Sequence, residues 1–172
     1  MKKYLLILCF FVLFSCKKEQ GCTDQIAINF NSTAEEDDGS CNYSVTGGYW
    51  ITQSNTQLGS ITTSVAGMIV SDSTFNYTET NPDSLSPYKL EFLENNTYTE
   101  SDNSNNIVDS GTWSLEGNQL TLNPGDTIAT LTVESIDRDN VVISTNLNET
   151  STFMGITITY DVTLTINSIR QF

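Results

Sequence analysis

The stretch Ile156-Thr157-Ile158-Thr159-Tyr160-Asp161-Val162-Thr163-Leu164-Thr165-Ile166 decides the fold class. Ile156, Ile158, Tyr160, Val162, Leu164 and Ile166 share one parity, and the four threonines and Asp161 take the other. Successive side chains of a strand point to opposite faces, so this segment is a strand with one buried and one solvated face. Strands of a parallel sheet are covered on both faces and do not alternate so strictly; the sheet is therefore antiparallel.

Upstream, the same pattern recurs between short turn signals. Leu90 and Phe92 lead into Glu94-Asn95-Asn96, and Thr97-Tyr98-Thr99 leads out. Trp113 and Leu115 lead into Gly117-Asn118, and Leu120 and Leu122 lead out. Asn123 to Asp126 turns into Ala129, Leu131 and Val133, and Asp137 to Asn140 turns into Val141 and Ile143. Asn and Gly serve such turns because they tolerate positive φ. The sum is about eight to nine strands within 45–172, an all-β chain whose successive hairpins suit an antiparallel up-and-down β-barrel. Ser71 to Pro87 is long, polar and holds Pro82 and Pro87, and reads as a lid-like loop or a partly ordered excursion. Phe92, Trp113, Leu131, Ile156, Ile158, Tyr160, Val162 and Leu164 are expected to line the interior and to form any ligand site there. A small eight-stranded barrel is either packed solid or holds one small ligand, and periodicity does not tell which.

The N-terminus carries an address. Lys2 and Lys3 precede an almost unbroken apolar run from Tyr4 to Phe14. A basic start, an apolar run of about ten residues and then a small residue make a secretory signal, here 1–15, too short for a spanning helix. Leu13-Phe14-Ser15-Cys16 resembles a bacterial lipobox, which makes Cys16 the lipidation site and 16–20 a lipidated tether. Several acyl chains hold a protein stably in a bilayer where one holds it marginally. Lys17 in place of an Asp after Cys16 favours the outer membrane, as in enteric bacteria.

Charge excludes one class of partner. The chain has 7 Lys+Arg against 21 Asp+Glu, and no basic side chain lies between Lys18 and Lys89. Such a surface repels the phosphates of nucleic acid, so no nucleic-acid partner is expected.

Residues 21–44 form a Cys-bounded module. With Cys9 in the signal and Cys16 acylated, Cys22 and Cys41 remain as one pair in an oxidising compartment. Asp24, Asn29, Asn31, Asp37 and Asp38 crowd this loop. Calcium takes six to eight oxygens of this kind, and the same residues also build Asx-turns, so both readings stand.

Two resemblances follow from these residues. Gly48-Tyr49-Trp50, Glu91-Phe92 with Asn96-Thr97-Tyr98-Thr99, and Ser110-Gly111-Thr112-Trp113 occur in the order of the Gly-x-Trp and hairpin motifs of lipocalins. Residues 47–172 thus resemble the lipocalin-like domains of Bacteroidota lipoproteins. That resemblance implies structural roles for Gly48, Trp50 and Arg170, with the Arg170 guanidinium over the Trp50 ring as a cation–π contact. Gly21-Cys22-Thr23-Asp24 and Asp37-Asp38-Gly39-Ser40-Cys41 resemble a repeat of surface proteins from marine Bacteroidota, which implies an envelope or cell-surface place.

The chain contains no histidine. Ser-His-Asp and Cys-His triads and His-based zinc sites are therefore excluded. Carboxylate pairs such as Glu91 with Glu94, or Glu100 with Asp102, sit near turns and read as solvated surface. No enzymatic activity is expected. The two readings of function are a lipid-anchored barrel that binds a small apolar ligand, and a filled barrel that serves as a structural or interaction module of the outer membrane.

Overall fold

The computed structural model describes residues 17–81 and 83–172. The expected signal 1–15 and Cys16 lie outside the described residues. The elements are β1 (Gln20–Gly21), β2 (Glu36–Asp37), β3 (Tyr49–Val65), β4 (Met68–Glu79), β5 (Lys89–Phe92), β6 (Thr97–Ser101), β7 (Ile107–Glu116), β8 (Gln119–Asn123), β9 (Ala129–Ile136), β10 (Asn140–Phe153) and β11 (Ile156–Gln171).

The expected barrel is present. Strands β5 to β11 follow one another as antiparallel neighbours, and β11 returns to pair β3 along its full length. With β3 also paired to β5, the sheet closes into an 8-strand barrel with one extra strand, β4. Closure satisfies the backbone groups that an open sheet would leave at its edges.

The extra strand corrects the sequence reading. Ser71 to Glu79 is not a loop but part of β4, which pairs β3 from Asn55↔Glu79 to Val65↔Met68. Only the segment after Glu79 returns as a loop to β5. Polar Ser, Thr, Asp and Asn hide the strand because neither of its faces meets a core. Its signal was the shared parity of Phe75 and Tyr77 against Thr74, Asn76 and Thr78.

β3, at 17 residues, is about 56 Å long at the usual rise of a strand. Its first residues belong to the barrel. Beyond Asn55 it leaves β5, takes up β4, and runs on with β10 and β11 as a four-stranded paddle, β4-β3-β11-β10. Both hairpin tips are two-residue turns with positive φ at both positions, Ala66-Gly67 and Met154-Gly155. That geometry matches the right-handed twist of long hairpins.

The barrel has a closed end and an open end. At the closed end Val45, Trp50, Phe92, Tyr98, Leu120, Val133 and Val141 are buried in one cluster, with Trp113 packed against it. Phe92 and Trp113 meet edge to face at 5.6 Å. Residues 44–48 cross this end as a plug. Trp50 Nε1 donates to the Val45 carbonyl at 2.7 Å, and the Arg170 guanidinium donates to the carbonyls of Ser44 and Thr46 at 2.7 and 3.1 Å. Gly48 is required here: its φ is +128°, and a Cβ would meet the Gln171 carbonyl oxygen at 2.4 Å.

The Cys22–Cys41 disulfide is formed, with the Cα atoms 4.8 Å apart. It closes a small module in which β1 pairs β2 in parallel. Arg138, in the β9–β10 turn, reaches the Asp24 carboxylate at 3.0 Å, and Tyr43 Oη donates to the same oxygen at 3.0 Å. The module therefore docks at the closed end of the barrel.

Candidate functional site

Above the packed cluster the barrel is hollow. A cavity of about 220 Å³ lies at the open end. Its apolar wall is Leu90, Leu122, Leu131, Ile143, Leu164 and Ile166, with Ala129 and the prolines Pro87 and Pro124 at the rim. A second hollow, about 240 Å³, lies on the paddle between Leu147, Glu149, Tyr160, Val162, Gln57 and Leu164. Leu164 belongs to both, so the apolar surface runs from the cavity onto the paddle without a break.

Register explains why. On β11, Ile166, Leu164, Val162, Tyr160, Ile158 and Ile156 keep one face. Their neighbours on that face are Asn55, Gln57, Gly59, Ile61, Thr63 and Val65 on β3, and Ile143, Thr145, Leu147, Glu149, Ser151 and Phe153 on β10. The barrel interior and one face of the paddle are thus a single surface. The opposite face is tiled by polar cross-strand pairs, among them Thr56 with Thr78, Thr150 with Thr159 and Thr152 with Thr157. Such pairs each contribute a few tenths of a kcal/mol to about 1 kcal/mol.

The site residues expected from the sequence separate into three places. Leu131 and Leu164 line the cavity. Phe92 and Trp113 belong to the packed closed end and do not reach it. Ile156, Ile158, Tyr160 and Val162 do not line the interior: they lie on the paddle beyond the barrel. Alternation gives the face of a strand and not the point at which the barrel ends, which is why these four were misplaced. Ile156 and Tyr160 are exposed.

The polar part of the cavity was not legible in the sequence. Glu100 of β6 and Asp109 of β7 are direct cross-strand partners, and both line the cavity. Glu100 is therefore not solvated surface, as its position near a turn suggested. Burial, and then the charge of Asp109, push its carboxyl above the usual range, against a weak opposing contact from Ser86 Oγ at 3.4 Å. Tyr98 Oη donates to Asp109 Oδ2 at 2.8 Å. Burial and this hydrogen bond raise the Tyr98 hydroxyl, which stays neutral. A pairing of β6 with β7 across a five-residue loop is the signal that would have joined Glu100 to Asp109.

The module's polar side chains bond to backbone groups of the loop. Asp24 Oδ1 accepts from Ile26 N, Asn31 Oδ1 from Thr33 N, Asp37 Oδ1 from Gly39 N and Asp38 Oδ1 from Ser40 N. Asn29 bonds the Ser40 carbonyl and accepts from Asn42 N. These are Asx-turns and loop clasps, each side chain serving its own backbone. Among the described residues no group of three or more acidic, Cys or His side chains is placed to hold a metal ion. These contacts are those of the turn reading.

The Arg170 guanidinium stands 4.4 Å from the Trp50 ring centroid. No family model matches the chain, and neither a curated protein nor a solved structure matches it.

Proposed function

We propose that this is a lipid-anchored cell-envelope protein whose lipocalin-like barrel binds a small hydrophobic ligand at the outer membrane, facing the cell surface. The cavity at the open end carries the ligand reading. Binding pockets are concave, mainly apolar, and hold a few convergent polar groups, and this one has an apolar wall facing one pair of carboxylates. The lipobox-like Leu13-Phe14-Ser15-Cys16 supports the anchor. Gly48, Trp50 and Arg170, as arranged at the closed end, support the likeness to lipocalins.

Native mass spectrometry on protein released from its own envelope tests the ligand. Added mass that survives gentle ionisation and disappears on denaturation is expected. A native mass equal to the denatured mass would count against it. Cys16→Ala tests the anchor: an unprocessed, unlipidated precursor is expected, and a mature-length, membrane-bound variant would remove the lipobox reading.

A second reading, a structural or interaction module, has its own support. The paddle tips expose Met68 (71 %), Phe153 (74 %) and Met154 (85 %). Exposed apolar clusters of this kind mark contact surfaces. Loss of a cross-linked envelope partner on substitution of these three by Ser, with the Cys16 anchor kept and no ligand in the cavity, would select this reading.

A further inference from the structure

We propose that the cavity takes a cationic amphiphile, with an ammonium head between Glu100 and Asp109 and an apolar chain laid along Leu131 and Leu164 toward Val162 on the paddle. This rests on the reading of the cavity as a ligand site and adds the chemical class of the ligand.

The argument begins with a like-charge pair. Glu100 and Asp109 stand directly opposite one another on paired strands, an arrangement that costs energy when both are ionised. Both face the same cavity, and among the described residues lining it there is no Lys or Arg to compensate them. Burial of Glu100 raises its carboxyl, and the charge of Asp109 beside it adds to the rise.

A third polar group lies behind the cavity wall, outside its lining. Asn55 is 92 % buried on the inward face of β3, directly across from Ile166 of the cavity wall. Its Nδ2 donates to the Ser86 carbonyl at 3.0 Å, next to Pro87 of the rim. That bond fixes the amide orientation and leaves Oδ1 buried with no partner. Two carboxylates on one cavity with no competing cation call for a positively charged donor, and an ammonium has up to three N–H donors and a positive charge.

The apolar part follows from the barrel order. β6 and β7 lie across the barrel from β10 and β11, so the acids and the Leu164 wall oppose each other. A head held at the acids directs its chain to Leu164, where the cavity joins the paddle hollow. An anionic head, as in a fatty acid, would place a third negative charge beside two.

Titration calorimetry of the purified protein with octylamine, octanol and octanoate at neutral pH tests this at one chain length. Octylammonium is expected to bind at least tenfold more tightly than octanol, and octanoate more weakly than either. Glu100→Gln and Asp109→Asn are each expected to reduce the amine advantage several-fold while octanol affinity holds, which also shows that the variants are folded. Octanol binding with no amine advantage in the unaltered protein overturns the cationic class and leaves the apolar site standing. No binding of any of the three overturns the ligand site and this inference with it.

Discussion

Trp50 and Arg170 are cross-strand partners on the first and last strands of the barrel, ring and guanidinium 4.4 Å apart, and they close it. The guanidinium also holds the plug by two carbonyl oxygens, and burial lowers its pKa without discharging it. Burying a charge demands such partners. Arg170→Ala is therefore expected to cost about 3 kcal/mol, by the loss of a cation–π contact and two charge-assisted hydrogen bonds. Arg170→Lys recovers less than half, because one ammonium cannot stack and reach both carbonyls. Urea unfolding followed by Trp50 fluorescence measures both.

Glu100 works against stability. Its folded-state pKa is raised, so the folded chain holds a proton that the unfolded chain releases as pH rises. The penalty is absent below the ordinary carboxylate value of 4.5 and complete once pH passes the raised value. Glu100→Gln is expected to raise Tm at pH 7 by about 2–4 °C, and the gain should vanish at pH 4. Thermal melts of both proteins across this range check the sign; a variant less stable at pH 7 would remove the strained-pair account.

Asp24 has the opposite sign. The Ile26 backbone N–H, with Tyr43 and Arg138, holds its carboxyl below the usual range. Its contribution is present above the ordinary value of 3.8 and is lost as pH falls through the lowered one. Asp24→Asn should loosen the module at pH 7, seen as faster amide exchange in 22–43, with the barrel strands unchanged.

The disulfide confines a loop, its cysteines standing 19 positions apart in sequence. Cys22→Ser with Cys41→Ser is expected to remove about 3 kcal/mol from the module. Exchange should rise within the loop and not in β5 to β9, because the barrel core lies on the other side of Tyr43 and Val45.

Filling the cavity should end binding without unfolding. Leu131→Trp places a large ring against Leu164 and Leu122, where about 220 Å³ is free. Loss of octanol binding with near-native circular dichroism is the expected result.

Much of this architecture was legible because alternation and turn chemistry are local. Ile156 to Ile166 announced its strand, and Gly117-Asn118 its hairpin. β4 was missed because its residues contact solvent on most sides, and a strand without a core leaves little pattern. The Glu100–Asp109 pair was missed because its meaning lies in the register of β6 on β7. The four apolar residues from Ile156 to Val162 were given the right face and the wrong surroundings, since nothing in their own sequence marks where β5 to β9 stop.

The paddle also sets how this protein can change over evolutionary time. Insertions at its tips would lengthen the arms and leave the cavity and the Trp50–Arg170 closure untouched. Side chains alternate every residue, so two residues added to each arm preserve which face is apolar, whereas one would exchange the faces. Relatives should then differ in paddle reach by even steps while their barrels stay constant in size, giving selection a dial on length that is separate from the dial on ligand.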